Sequence, residues 1–95
     1  MKKPKVIYKK LSKARGYYYS DTHKIEIDER LQDVELLDTL IHEFTHYIQP
    51  YLDEEKVERI GNELSMFLWE NGYRKQKTYG KNNVIKRKNS SKIFK

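Results

Sequence analysis

Residues 33–50 read DVELLDTLIHEFTHYIQP, and this stretch decides the fold. Val34, Leu37, Leu40, Ile41, Phe44 and Ile48 recur at helical spacing, so an amphipathic helix is predicted from about Asp33, a suitable N-cap. Pro50 has no amide hydrogen and disfavours helix in the residue before it, which ends the helix near Gln49. Inside the helix lies His42-Glu43-Phe44-Thr45-His46, an H-E-x-x-H pattern. Residues four apart share one helix face, so His42 and His46 can reach the same metal ion. Glu43 then lies beside that ion, placed to take a proton from a water that the metal activates.

Working outward, the chain before this helix changes period. Val6-Ile7-Tyr8 is a short β-prone run. Gly16 precedes Tyr17-Tyr18-Tyr19, and residues 24–28, KIEID, alternate apolar and polar around the turn-rich Ser20-Asp21-Thr22-His23. A β-hairpin is predicted there. After Pro50, a second helix is predicted from Asp53 as N-cap, with Glu54 and Glu55 in its first turn, where the helix dipole favours acids. Its apolar stripe is Val57, Ile60, Leu64, Phe67 and Leu68, and Asn71-Gly72 forms the C-terminal stop. The fold class is therefore α+β: a small antiparallel sheet or hairpin packed on the H-E-x-x-H helix and a glutamate-bearing helix. The 95 residues support one hydrophobic core, assigned to residues 1–74, with residues 75–95 a basic C-terminal segment.

Charge is segregated. The formal net charge is +6, yet residues 1–24 carry +7, residues 25–74 carry −9 and residues 75–95 carry +8. A basic chain with 13% aromatics points first to nucleic acid. The acidic middle weakens that reading, because the motif lies there and the basic surplus lies at the ends. With no cysteine, disulfides, thiolate zinc sites and thiol nucleophiles are excluded. No apolar run reaches the roughly 18–20 residues of a membrane span, and the N-terminal ten residues lack a signal-peptide core, so a cytoplasmic protein is expected.

The third metal ligand must come from elsewhere. A metzincin arrangement would need Gly and His where Gln49 and Leu52 stand, which excludes it. Glu54, Glu55 and Glu58 remain as candidates, with His23 available only from the hairpin turn. Glu54 and Glu55 are already explained as first-turn acids. Glu58 is followed by the small residues Gly61 and Ser65, which would let the two helices approach closely.

Glu58-Arg-Ile-Gly61-Asn62 resembles the E-x-x-A-[DN] segment of gluzincin peptidases, with Gly61 in the alanine position. Glu54-x-x-Val57-Glu58 is the weaker match. The β-hairpin, H-E-x-x-H helix, tight turn and glutamate helix together resemble the minigluzincins, minimal single-domain zinc peptidases, over residues 6–73. The resemblance implies one Zn²⁺ per chain held by His42, His46 and Glu58, with Glu43 as catalytic base and Asn62 orienting a zinc-bound histidine. It implies an endopeptidase acting on peptides or unfolded proteins, its substrate added as a strand to the sheet beside the cleft. Tyr73, Tyr79 and His23 are candidates for holding the developing oxyanion. Latent members carry a C-terminal segment in the cleft, which gives the basic segment a role as inhibitor by charge complementarity. The alternative is a nucleic-acid-associated protein with a structural or vestigial zinc site.

Overall fold

In the computed structural model, described for residues 3–75, three strands precede two helices. They are β1 (Lys5–Lys9), β2 (Gly16–Tyr19), β3 (Lys24–Asp28), α1 (Asp33–Ile48) and α2 (Glu54–Glu70). The expectations for residues 76–95, Tyr79 and the inhibitory segment among them, lie outside the described residues.

The hairpin forms as its alternation requires: β2 and β3 pair antiparallel, with Tyr18 opposite Ile25 and Gly16 opposite Ile27. The sheet as a whole is mixed rather than antiparallel. β1 joins it parallel to β3, with Val6 opposite Ile25, giving the order β1-β3-β2. Central β3 is shielded on both faces. Ile25 and Ile27 are buried under α1, where they pack with Leu36 and, at the edges, Tyr18, Leu31 and Leu40.

The opposite face buries two carboxylates, and both are partnered. Glu26 accepts a hydrogen bond from the Tyr19 hydroxyl at 3.0 Å and pairs with Lys24 at 3.4 Å and Lys9 at 3.8 Å. Asp28 takes a fork of two bonds from Arg30, both 2.9 Å, plus the Arg30 backbone amide at 3.1 Å. The same guanidinium donates to the Leu11 carbonyl, tying the β1–β2 connection to the end of β3.

α1 ends before Pro50 as expected, but its start differs by one residue. Gln32 is the N-cap and offers no side-chain bond, while Asp33 is the first helical residue, at φ 58°. α2 starts as predicted, the Asp53 side chain accepting from the Lys56 amide at 2.9 Å. It closes in a Schellman motif: Tyr73 N–H donates to Leu68 C=O and Gly72 N–H to Trp69 C=O, both at 3.0 Å, with Gly72 at φ 88°.

The two apolar stripes are buried only in part: Val57 is enclosed and Leu40 packs on the core. Phe44 and Ile48 of α1, and Ile60, Leu64 and Phe67 of α2, are all exposed. α1 instead buries Leu36, Thr39, Glu43 and Thr45, and α2 buries Val57, Gly61 and Ser65. The buried hydroxyls turn back on their own helix: Thr39 donates to Glu35 C=O at 2.9 Å and Thr45 to Ile41 C=O at 2.7 Å. Small residues let the helices come together. A Cβ placed on Gly61 would lie 2.6 Å from Asp38 Oδ1, 3.3 Å from the Asp38 carbonyl oxygen and 3.5 Å from His42 Cβ. Gly61 is therefore the point of closest approach, and the short connection of residues 49–53 makes the pair antiparallel.

Two outcomes follow from this packing. Gly61→Val should lower the unfolding free energy by about 1–3 kcal/mol in urea denaturation, because the added methyls meet backbone as well as a movable carboxylate. The hydrogen bonds and charge of Arg30 hold the Asp28 carboxyl below the usual carboxylate range. A carboxyl so depressed adds stability above its unfolded pKa and loses it as pH falls through the folded value. Arg30→Ala should thus flatten the acid limb of a stability-versus-pH curve, and an unchanged limb would show that the Asp28 pair is not linked to folding.

Candidate metal centre

α1 positions its three motif side chains in two directions. His42 and His46, one turn apart, face α2, their rings 4.9 Å between centroids and inclined at 70°. Both are half-buried. Glu43, about 100° further round the helix, faces the sheet and is buried beneath β2. A Cβ on Gly16 would lie 2.9 Å from Thr39 Cγ2 and 3.1 Å from Glu43 Cγ. The first residue of β2 must therefore be glycine for the strand to cross the helix this closely above Glu43.

α2 brings one carboxylate to the imidazoles. Glu54 Oε2 lies 2.9 Å from His42 Nε2, and Glu54 Oε1 lies 3.0 Å from His46 Nε2. One donor atom from each residue lies within 4.8 Å of the other two, and these three side chains could hold a metal ion. Two imidazole nitrogens and a carboxylate are a donor set that zinc accepts while keeping a fourth position open.

Glu58, which the E-x-x-G-N resemblance favours, is outside this group. Like Glu54 it is exposed, but its charge is felt by Asp38 rather than gathered with the imidazoles. Asn62 is exposed as well. The geometry of α2 accounts for the difference. At about 100° per residue, and turning in one sense from Val57, Glu54 projects at about 60° and Glu58 at about 100°. The buried line through Val57, Gly61 and Ser65 is centred about 40° from Val57 in the same sense, nearer the first, so Glu54 points between the helices and Glu58 falls towards their edge. The first-turn location that explained Glu54 as a dipole partner is also what puts it at the open end of the helix pair.

Electrostatics distinguish the carboxylates. Burial pushes the Glu43 carboxyl up from its ordinary value, with the nearby Glu54 charge adding and His42 opposing. Asp38, one turn before His42, is also raised, chiefly by burial, with Arg15 and His42 opposing. Among the described residues no buried side-chain oxygen or nitrogen lacks a partner.

The other sequence candidates take different places. His23, in the β2–β3 turn at φ 51°, meets the Tyr18 hydroxyl at 3.1 Å through Nδ1 and stacks edge-on against Tyr47 at 5.7 Å. Tyr47 also meets Tyr18 at 6.2 Å and Phe44 at 5.6 Å, so an aromatic cluster continues the line of β2 beyond Glu43. Sequence reading had not joined these residues. The period of two in β2 and the i+4 step from Glu43 to Tyr47 were the available signals. Tyr73 lies after the C-terminal end of α2, lining a separate cavity that none of His42, Glu43, His46 and Glu54 lines.

Comparison with protein-family models, with curated proteins and with solved structures returns no match. Among the described residues, no helix is long and apolar enough to cross a membrane.

The two candidate glutamates are separable by titration. Glu54→Gln should weaken Zn²⁺ binding in calorimetry by at least about tenfold, the scale of one lost charged ligand, whereas Glu58→Gln should leave it within about twofold. The reverse ranking would move the third ligand to Glu58.

Proposed function

We propose that the chain is a zinc-dependent endopeptidase with His42, His46 and Glu54 as metal ligands and Glu43 as general base. The observation that carries this reading is the convergence of the two motif imidazoles with Glu54 while Glu43 stands beside them under the edge of the sheet. Zinc held there supplies a Lewis acid that polarises a peptide carbonyl and makes a water acidic enough to be deprotonated near neutral pH.

The chain's own groups do the rest. Glu43, with its proton affinity raised by burial, takes a proton from the attacking water and delivers it to the departing amine. Its side chain is confined between α1 and Gly16, which limits the rotamers it can sample. β2 is an edge strand and, unlike the other edge strand β1, packs against α1. An extended peptide could pair with that free edge and cross the site with its backbone fixed. Such pairing uses main-chain groups and suits peptides or unfolded proteins over folded ones.

Glu43→Ala should retain one zinc per chain by metal analysis and lose peptide hydrolysis by about 10²–10⁴-fold. A zinc-loaded Glu43→Ala protein that still cleaves casein would sink the mechanism. Gly16→Val should keep the metal and lower kcat by up to about a hundredfold, since a displacement of order 1 Å in a catalytic group costs that much.

A further inference from the structure

A cavity of about 840 Å³ opens at the other end of the helix pair, bounded by the N-terminal half of α1, the C-terminal end of α2 and Tyr8 of β1. Its volume is in the range of small-molecule sites, and its walls are mainly apolar, with Leu37, Leu68 and Trp69 among the residues that line it.

Two cations stand on its lining, and each is held by an aromatic ring. The Arg74 guanidinium lies 3.5 Å from the centroid of Trp69. Its Nη1 donates to the carbonyls of Trp69 at 2.7 Å and Tyr73 at 3.1 Å, which are neutral acceptors. Lys75 Nζ lies 5.3 Å from the centroid of Tyr8. Among the described residues no carboxylate forms an ion pair with either cation. Asp33 is the one acid on the lining, and it leaves the two cations in excess. The N-terminus of α1 faces the same space through Gln32 and Asp33, and Gln32 supplies no side-chain cap to its amides. The acids of its first turn, Asp33 and Glu35, offset the positive end of that helix, so the positive charge of the site rests on Arg74 and Lys75.

We infer that this cavity binds an apolar carboxylate, its chain between the leucines and Trp69 and its head group at Arg74 and Lys75. An uncharged apolar molecule would leave the cations unused, and a cationic one would be repelled by them. The site is independent of the metal centre, with which it shares no ligand.

Trp69 is the only tryptophan in the chain, so its emission reports on the cavity directly. The full-length protein should be titrated with dodecanoate below its micellar range, with dodecanol and dodecyltrimethylammonium as controls. The expected result is a saturable blue shift at one dodecanoate per chain, with dodecanol weaker by about tenfold, the size of one charge-assisted hydrogen bond, and the ammonium weaker still. Arg74→Gln combined with Lys75→Gln should bring dodecanoate to the level of dodecanol without changing the far-ultraviolet dichroism. These two side chains are exposed, so their loss leaves the core intact. Equal binding of acid and alcohol, a preference that survives the double substitution, or no saturable shift would each overturn the assignment.

Discussion

The approach of α1 to α2 at Gly61 governs both the packing and the candidate site. With no side chain there, the helices pack so closely that a Cβ would fall 3.3 Å from the Asp38 carbonyl oxygen and 3.5 Å from the His42 Cβ. Val57 and Ser65, one turn to either side, extend the same buried line. Without this approach, the two imidazoles on one helix would not meet a carboxylate on the other. Metal ligation across two elements needs their separation fixed to a fraction of an ångström, and contact close to the backbone gives less room for error than long apolar side chains do.

A second close approach, at Gly16, sets the remaining geometry. The strand lies so near α1 that its first residue touches the flank of Glu43. One helix turn is thereby divided between two neighbours, the histidines towards α2 and the glutamate towards β2. β2 is an edge strand, so one of its hydrogen-bonding edges is unpaired within the sheet. The parallel addition of β1 on the far side of β3 is therefore more than ornament to the sheet. It closes the other edge of β3 and leaves β2 as the edge over the site.

These two contacts also explain what could be read in advance. The helix over Asp33–Ile48, its end before Pro50, the Asp53 cap, the Asn71-Gly72 stop and the hairpin followed from local rules, each acting within about five residues. His42, Glu43 and His46 were legible for the same reason, since their spacing is a property of one helix. The apolar stripes held only in part, at Val57 and Leu40, because periodicity identifies a helix face without saying whether anything covers it. Phe44, Ile48, Ile60, Leu64 and Phe67 have the right spacing and remain exposed, while Thr39, Glu43, Gly61 and Ser65 are buried. Glu58 was favoured on a short resemblance and on the small residues after it. Those small residues do mark the interface, but the carboxylate that meets both imidazoles is Glu54, in the first turn of α2. The parallel pairing of β1 had no local signal, because register between strands distant in sequence is settled by the sheet as a whole.

The described part of the molecule buries few large apolar side chains. Ile25, Ile27 and Val57 are the only large hydrophobic residues almost wholly enclosed, and Glu26, Asp28 and Glu43 are buried nearby. A core this small gives limited stability, so the helix pair cannot rely on it along its full length. The pair is fastened in its middle by Val57, Gly61 and Ser65, the residues that α2 buries. One end is lined by His42, His46 and Glu54, and the other by leucines, Trp69 and two cations. Ligands that bind the folded chain and not the unfolded one stabilise it in proportion to their occupancy. A metal at the first end would cross-link the helices, and an apolar anion at the second would fill the space that packing leaves.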